Sequence, residues 1–113
     1  MDDQDYSKRV DAALKQVADW LEAFDPDVLD YQTSDGVITL SFADKTRFVL
    51  NRQSAVHQVW FAAGARAWHY VWDAARAEWV DERDGHGLYG NLQRAVAAKL
   101  QNPVPPVGGS APR

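Results

Sequence analysis

The chain has 113 residues, 46% of them hydrophobic and 25% charged, with no cysteine and a formal net charge of −4. That length suits one domain with a single core, filled here by five Trp, four Tyr and four Phe, and no apolar run approaches the roughly 18 residues of a membrane span. Without cysteine, disulfide frameworks, thiolate metal sites and sulfur nucleophiles are excluded.

The segment MDDQDYSKR lacks the basic and apolar stretches of a secretory signal, and its acidity is unlike a transit peptide, so a cytoplasmic protein is expected. Residues 1–30 carry nine acids and three bases, a balance of −6, whereas residues 31–113 carry a balance of +2. A phosphate backbone would be repelled by the acidic end and would find no basic stripe elsewhere, so nucleic acid is not an expected partner. Nor is a membrane.

Tyr6, Val10, Leu14, Val17, Leu21 and Phe24 recur at spacings of three and four, which predicts an amphipathic helix over about 4–24. Pro26 disfavours helical geometry at Asp25 and ends it. The face opposite the apolar stripe holds Asp11, Lys15, Asp19 and Glu22. Three uses of such a face stay open: solubility, weak binding of hard cations such as Fe, Mn, Ca or Mg, and electrostatic steering of a basic partner.

From residue 28 the period becomes two. Ile38, Leu40 and Phe42, then Phe48 and Leu50, alternate with smaller or polar residues, with turn chemistry at Ser34-Asp35-Gly36 and Ala43-Asp44-Lys45. Further strands are predicted at 56–62, 67–73 and 77–81, joined too closely for crossover helices, which implies an antiparallel meander. Leu88, Leu92, Val96 and Leu100 predict a second helix over 87–101, stopped at Asn102-Pro103. The expected fold is α+β: a two-layer sandwich with both helices on one face of a five- to six-stranded antiparallel sheet. It spans residues 1–102, and the Pro/Gly-rich tail 103–113 is expected to be disordered.

Few residues carry recognisable chemistry. The G-x-G-x-x-G at Gly85–Gly90 lacks its βαβ setting and reads as a strand-to-helix turn with Gly87 near the cap. His57, His69 and His86 show no H-x-x-x-H or H-E-x-x-H spacing, so no transition-metal cage is expected from local sequence, and His69 reads as a surface histidine. No G-x-S-x-G elbow or phosphate-binding loop occurs, and an enzyme is not expected. Alternation turns Asn51, Gln58 and Trp60 to the open face of the sheet, where Trp60 either docks a protein or is covered by its neighbours.

The run Leu50-Asn51-Arg52-Gln53-Ser54-Ala55-Val56-His57-Gln58-Val59-Trp60-Phe61-Ala62 resembles the signature of the frataxin family, in its bacterial CyaY branch. The acidic first helix, the Asp-Gly hairpin, Trp68-His69-Tyr70, Glu78-Trp79 and the closing helix follow in family order over roughly residues 4–100. The resemblance implies a non-enzymatic accessory protein of iron–sulfur cluster assembly. Its acidic ridge would bind Fe2+ and Fe3+ weakly at the surface and dock on an IscS-like cysteine desulfurase beside the scaffold protein, regulating cluster formation. The alternative use of the same ridge is as an iron chaperone or store. Carried over residue by residue, the ridge is Asp3, Asp5, Asp11, Asp19, Glu22, Asp25, Asp27 and Asp30, and the partner-binding sheet face is Asn51, Gln53, Gln58 and Trp60. A monomer is implied, with metal-induced oligomers as the alternative. Ala18, Ala23, Lys8 and Lys15 thin the ridge relative to the family pattern, which implies weaker iron binding.

Overall fold

The computed structural model describes residues 1–108. The first helix, α1, spans Asp3–Leu21, with the Asp2 carboxylate capping it by accepting a 2.7 Å hydrogen bond from the Asp5 amide. Its buried stripe is Tyr6, Val10, Ala13, Val17, Trp20 and Leu21. The helix stops short of residue 24: Ala23 and Phe24 donate to the Trp20 and Leu21 carbonyls in tighter i→i−3 bonds. Glu22 is therefore a cap residue rather than part of the helical face, although Phe24 still packs edge-on against Trp20.

Six strands follow in sequence order as one antiparallel meander: β1 (Leu29–Ser34), β2 (Val37–Phe42), β3 (Arg47–Gln53), β4 (Gln58–Ala63), β5 (Arg66–Asp73) and β6 (Glu78–Asp81). Two-residue pleating sends Ile38, Leu40, Phe42, Phe48, Leu50, Val59, Phe61, Tyr70 and Trp79 to one face, where they join the α1 stripe in a single core. The second helix, α2 (Leu88–Leu100), adds Leu88, Leu92 and Val96 to the same core. This is the expected two-layer sandwich, with six strands.

Local chemistry explains the register. Ser34 pairs with Val37 across a two-residue turn in which Asp35 and Gly36 have φ of +47° and +80°, the left-handed pair that matches strand twist. A Cβ at Gly36 would lie 2.3 Å from the Arg52 Cδ, so the turn also needs glycine for the close approach of β3. The strand predicted from residue 56 begins at 58, because Ser54–Val56 form a 3-10 turn and His57 adopts φ +54°. That left-handed residue resets the chain and lets Gln53 pair directly with Gln58.

The expectation of a disordered tail is corrected for residues 103–108. Val107 is buried in the core and Val104 packs against it, Trp20 Nε1 donates to the Pro105 carbonyl at 2.8 Å, and Gln93 Nε2 donates to the Val104 carbonyl at 3.2 Å. Two valines and two side-chain donors suffice to hold a segment whose composition looks unstructured. Residues 109–113 lie outside the described residues.

One ion pair ties α2 to the β2–β3 turn: Lys99 Nζ donates to Asp44 Oδ2 at 2.6 Å and to Thr46 Oγ1 at 2.8 Å. The Lys99 hydrogen bond, then the Thr46 amide, hold the Asp44 carboxyl well below the usual carboxylate range. A depressed folded-state pKa stabilises the fold above the unfolded value near 4 and loses that contribution as pH falls through the folded value. Asp44→Asn is accordingly expected to reduce stability at pH 7 and to flatten its decline below about pH 4, measured by urea unfolding across pH. Identical pH profiles for the two proteins would contradict this.

Candidate functional site

The eight ridge carboxylates divide into two groups. Four meet a basic side chain: Asp3 Oδ1 lies 2.7 Å from His57 Nε2, Asp5 Oδ1 3.4 Å from Arg9 Nε, Asp11 Oδ1 2.9 Å from Arg52 Nη1, and Asp19 Oδ2 2.8 Å from Lys15 Nζ. Arg52 and His57 come from the β3–β4 region, some forty to fifty residues away in sequence, and Arg52 also donates to Ser7 Oγ. Such exposed pairs contribute only about 0–1 kcal/mol each, but they neutralise the N-terminal and middle turns of the ridge.

The other four, Glu22, Asp25, Asp27 and Asp30, have no basic partner among the described residues. They cluster in chain order just past α1, which has no basic residue in its last turn, so the helix dipole's negative end adds to their field. Tyr31 reports that field. Its hydroxyl donates to Glu22, and this bond together with the charges of Glu22, Asp19 and Asp30 pushes its pKa above the usual tyrosine value. The family resemblance implies one ridge of eight acids, and the fold leaves the negative potential concentrated at its C-terminal end.

The second surface is the solvent side of the sheet. Register aligns Asn51, Trp60 and His69 across β3, β4 and β5. The Trp60 indole stacks on the His69 ring at 4.2 Å with planes 13° apart, and its Nε1 donates to Gln58 Oε1 at 2.7 Å. Gln58 Nε2 donates to Glu82 Oε1 at 3.2 Å, and Glu82 Oε2 lies 3.1 Å from His69 Nδ1. Asn51, Gln53, Gln58 and Trp60 are half-buried, so the four predicted face residues share one side of the sheet, with Trp60 both available and braced. His69 and Glu82 belong to this patch, and sequence reasoning assigned neither a part in it, because His69 was read in isolation and Glu82 follows the last strand.

A third constellation was missed. Histidine spacing alone pointed away from a local transition-metal site. Among the described residues, however, the one group in which three donors converge is Asp81, Asp84 and His86, whose ligand atoms lie within 4.8 Å of one another. No three ridge carboxylates among the described residues converge in this way. The available sequence signal was Asp-x-x-Asp-x-His, which a search restricted to histidine pairs passes over. Within the same segment Gly87 caps α2, and the site its Cβ would occupy lies 2.7 Å from Glu78 Oε1. A carboxylate rather than a phosphate faces that helix start.

The order of elements, the acidic helix and the tryptophan-bearing sheet face can now be set beside known proteins. A model of the frataxin-like domain matches residues 1–102. The chain belongs to the frataxin-like family. Among curated relatives, the iron-sulfur cluster assembly protein CyaY of Aeromonas hydrophila is 35% identical over 104 residues, covering 92% of this chain and 97% of that protein. The CyaY of Dechloromonas aromatica is 37% identical over 93 residues, covering 81% and 86%. These frataxin relatives are named for assembly rather than for a catalysed reaction. Among solved structures, the frataxin of Psychromonas ingrahamii superposes with a TM-score of 0.81 at 26% identity over 92% of this chain and 96% of that one. Trimeric yeast frataxin complexed with ferrous iron gives 0.71 at 28% identity, covering 83% and 87%. No described helix of this frataxin-like chain is long and apolar enough to cross a membrane.

Proposed function

We propose that this protein is an accessory factor of iron–sulfur cluster assembly that docks on a cysteine desulfurase and its scaffold and regulates the rate of cluster formation. The observation that carries this reading is the pair of prepared surfaces: four carboxylates just past α1 without basic partners among the described residues, and a braced tryptophan flanked by amides on the solvent side of the sheet. Uncompensated charge steers a basic partner and sets the association rate, whereas a fixed aromatic beside amides supplies contact energy at low entropic cost. The names of the CyaY relatives point the same way.

Iron is the second, weaker ligand in this reading. Glu22, Asp25, Asp27 and Asp30 are hard oxygen donors suited to ferrous or ferric ions, and a frataxin relative has been solved with ferrous iron. Because they do not converge and water competes for each, this end of the ridge holds cargo loosely, in keeping with delivery or sensing rather than storage.

The charge-based half of the proposal is tested by the triple variant Glu22→Lys, Asp25→Lys, Asp27→Lys, which moves the formal net charge from −4 to +2. All three side chains are exposed, so stability is expected to change little. Binding to an IscS-like desulfurase, measured by pull-down with and without iron and by titration at two salt concentrations, is expected to be lost. Wild-type binding by the variant, or binding insensitive to salt, would refute electrostatic docking.

A further inference from the structure

We propose that Asp81, Asp84 and His86 form a binding site for a divalent first-row transition cation, separate from the acidic ridge and built into the turn between β6 and α2.

Asp81 is the anchor. It is the last residue of β6, paired with Tyr70, and only 5% exposed. One carboxylate oxygen accepts hydrogen bonds from the amides of Arg83 at 2.8 Å and Asp84 at 3.1 Å, and the other has no hydrogen-bond partner among the described residues. No lysine, arginine or histidine pairs with it among the described residues. Aspartates this deeply buried rarely lack a charge partner, and here two amides satisfy one oxygen while the other keeps an open acceptor site. That open oxygen belongs to the residue whose ligand atom converges with those of Asp84 and His86.

His86 is held as a metal-bound histidine is held. Its Nδ1 faces Asp84 Oδ1 at 2.6 Å, its Nε2 lies 2.8 Å from the Tyr70 hydroxyl, and Asn91 Nδ2 donates to that hydroxyl at 2.8 Å. Tyr70 is fully buried and Asn91 nearly so. The ring edge is further confined by Trp68 and Tyr70, each close to perpendicular to it. A cation that takes Nδ1 leaves the ring proton on Nε2, where it donates to the Tyr70 oxygen. The Tyr70 hydroxyl then donates its hydrogen bond to the Asn91 carbonyl oxygen once that amide turns over. The His86 ring nitrogens and the Tyr70 hydroxyl keep partners in both states, and an imidazole ligand oriented through its second nitrogen is the usual outer shell of a metal site.

The donor set selects the ion. Two carboxylate oxygens and one imidazole nitrogen suit Fe2+, Mn2+, Co2+ or Zn2+, better than Mg2+, which prefers oxygen throughout, or Cu+, which prefers sulfur. Bonds of about 2.0–2.2 Å bring donors to within about 4.4 Å of each other, so the exposed Asp84 side chain closes the remaining few tenths. Water completes the shell on the open side.

The test uses the full chain and Co2+ as the probe, read by visible d–d absorption and by 15N amide signals. Residues 81–88 are expected to broaden at lower Co2+ than residues 3–30. Asp84→Asn, on the exposed turn, and His86→Ala are each expected to raise the dissociation constant at least tenfold. Glu22→Ala/Asp25→Ala/Asp27→Ala is expected to leave this site's affinity unchanged. Broadening confined to residues 3–30, or wild-type affinity in either turn variant, would overturn the proposal. Because Asp84→Asn lies outside both docking surfaces, its failure to weaken Co2+ binding would leave the desulfurase-docking reading intact.

Discussion

Phe61→Ala is expected to cost about 3–5 kcal/mol of folding stability, among the largest effects for a core side chain here. Phe61 is fully buried on β4, stacked on Trp68 at 5.4 Å and edge-on to Phe48 at 6.0 Å, with Leu50 as its register partner. The ring sits in the middle of the sheet, between aromatic side chains that cannot collapse into the space it leaves, so the transfer loss and the cavity add. A domain of this size holds roughly 5–15 kcal/mol in total, and the midpoint of thermal unfolding should fall by roughly 12–25 °C. Differential scanning calorimetry checks this; a loss below about 1 kcal/mol would mean that the sheet rearranges around the cavity.

Trp60→Ala should separate function from folding. Its neighbour in sequence, Phe61, points into the core, whereas Trp60 points out, with its ring against His69 and its indole nitrogen bonded to Gln58. Removing the ring forfeits one aromatic stack, worth about 0.5–1.5 kcal/mol, while the core stays intact. If the sheet face docks the desulfurase, truncating its one large aromatic is expected to cost about 2 kcal/mol or more of binding, roughly a thirtyfold rise in Kd. Calorimetric titration of desulfurase with wild-type and variant proteins measures the binding loss, and urea unfolding of the two proteins measures the stability loss. Unchanged affinity would remove the sheet face from the interface and leave the helix end as the docking surface. The contrast between residues 60 and 61, adjacent in the chain and opposite in consequence, follows from the period-two geometry of a strand.

The ridge has a different standing from the one its composition suggests. An isolated α1 would pair Asp5 with Arg9 and Asp19 with Lys15 but present Asp3 and Asp11 as free ligands; in the folded chain those two face His57 and Arg52. Arg9 and Lys15 lie four residues from their partners, a spacing that could be read directly. Arg52 and His57 could not, because their approach depends on the left-handed His57, the tight turn at Gly36 and the packing of Tyr6, whose ring stacks on His57 at 4.9 Å. The negative field is therefore strongest beyond Leu21, not along the helix.

The tail and the β6–α2 turn show the same limit. Proline and glycine content describes what a segment can do alone and carries no information on whether Trp20 and Gln93 will offer it hydrogen bonds. Asp81, Asp84 and His86 sit within six residues, yet their meaning depends on Asp81 being buried opposite Tyr70, a consequence of strand pairing.

Sequence by itself determined the two helices, the strand order, the inward and outward faces of the central strands, and the placement of nine acids in the first thirty residues. These are local properties, set by periodicity, turn chemistry and charge along the chain, and they carried the family resemblance with them. Tertiary structure alone decided that Arg52 and His57 compensate Asp11 and Asp3, that Val104 and Val107 join the core, and that a buried aspartate meets a histidine at the end of the sheet. Those outcomes rest on contacts between distant segments or on burial, and both exist only once the apolar faces of helices and sheet have closed on each other.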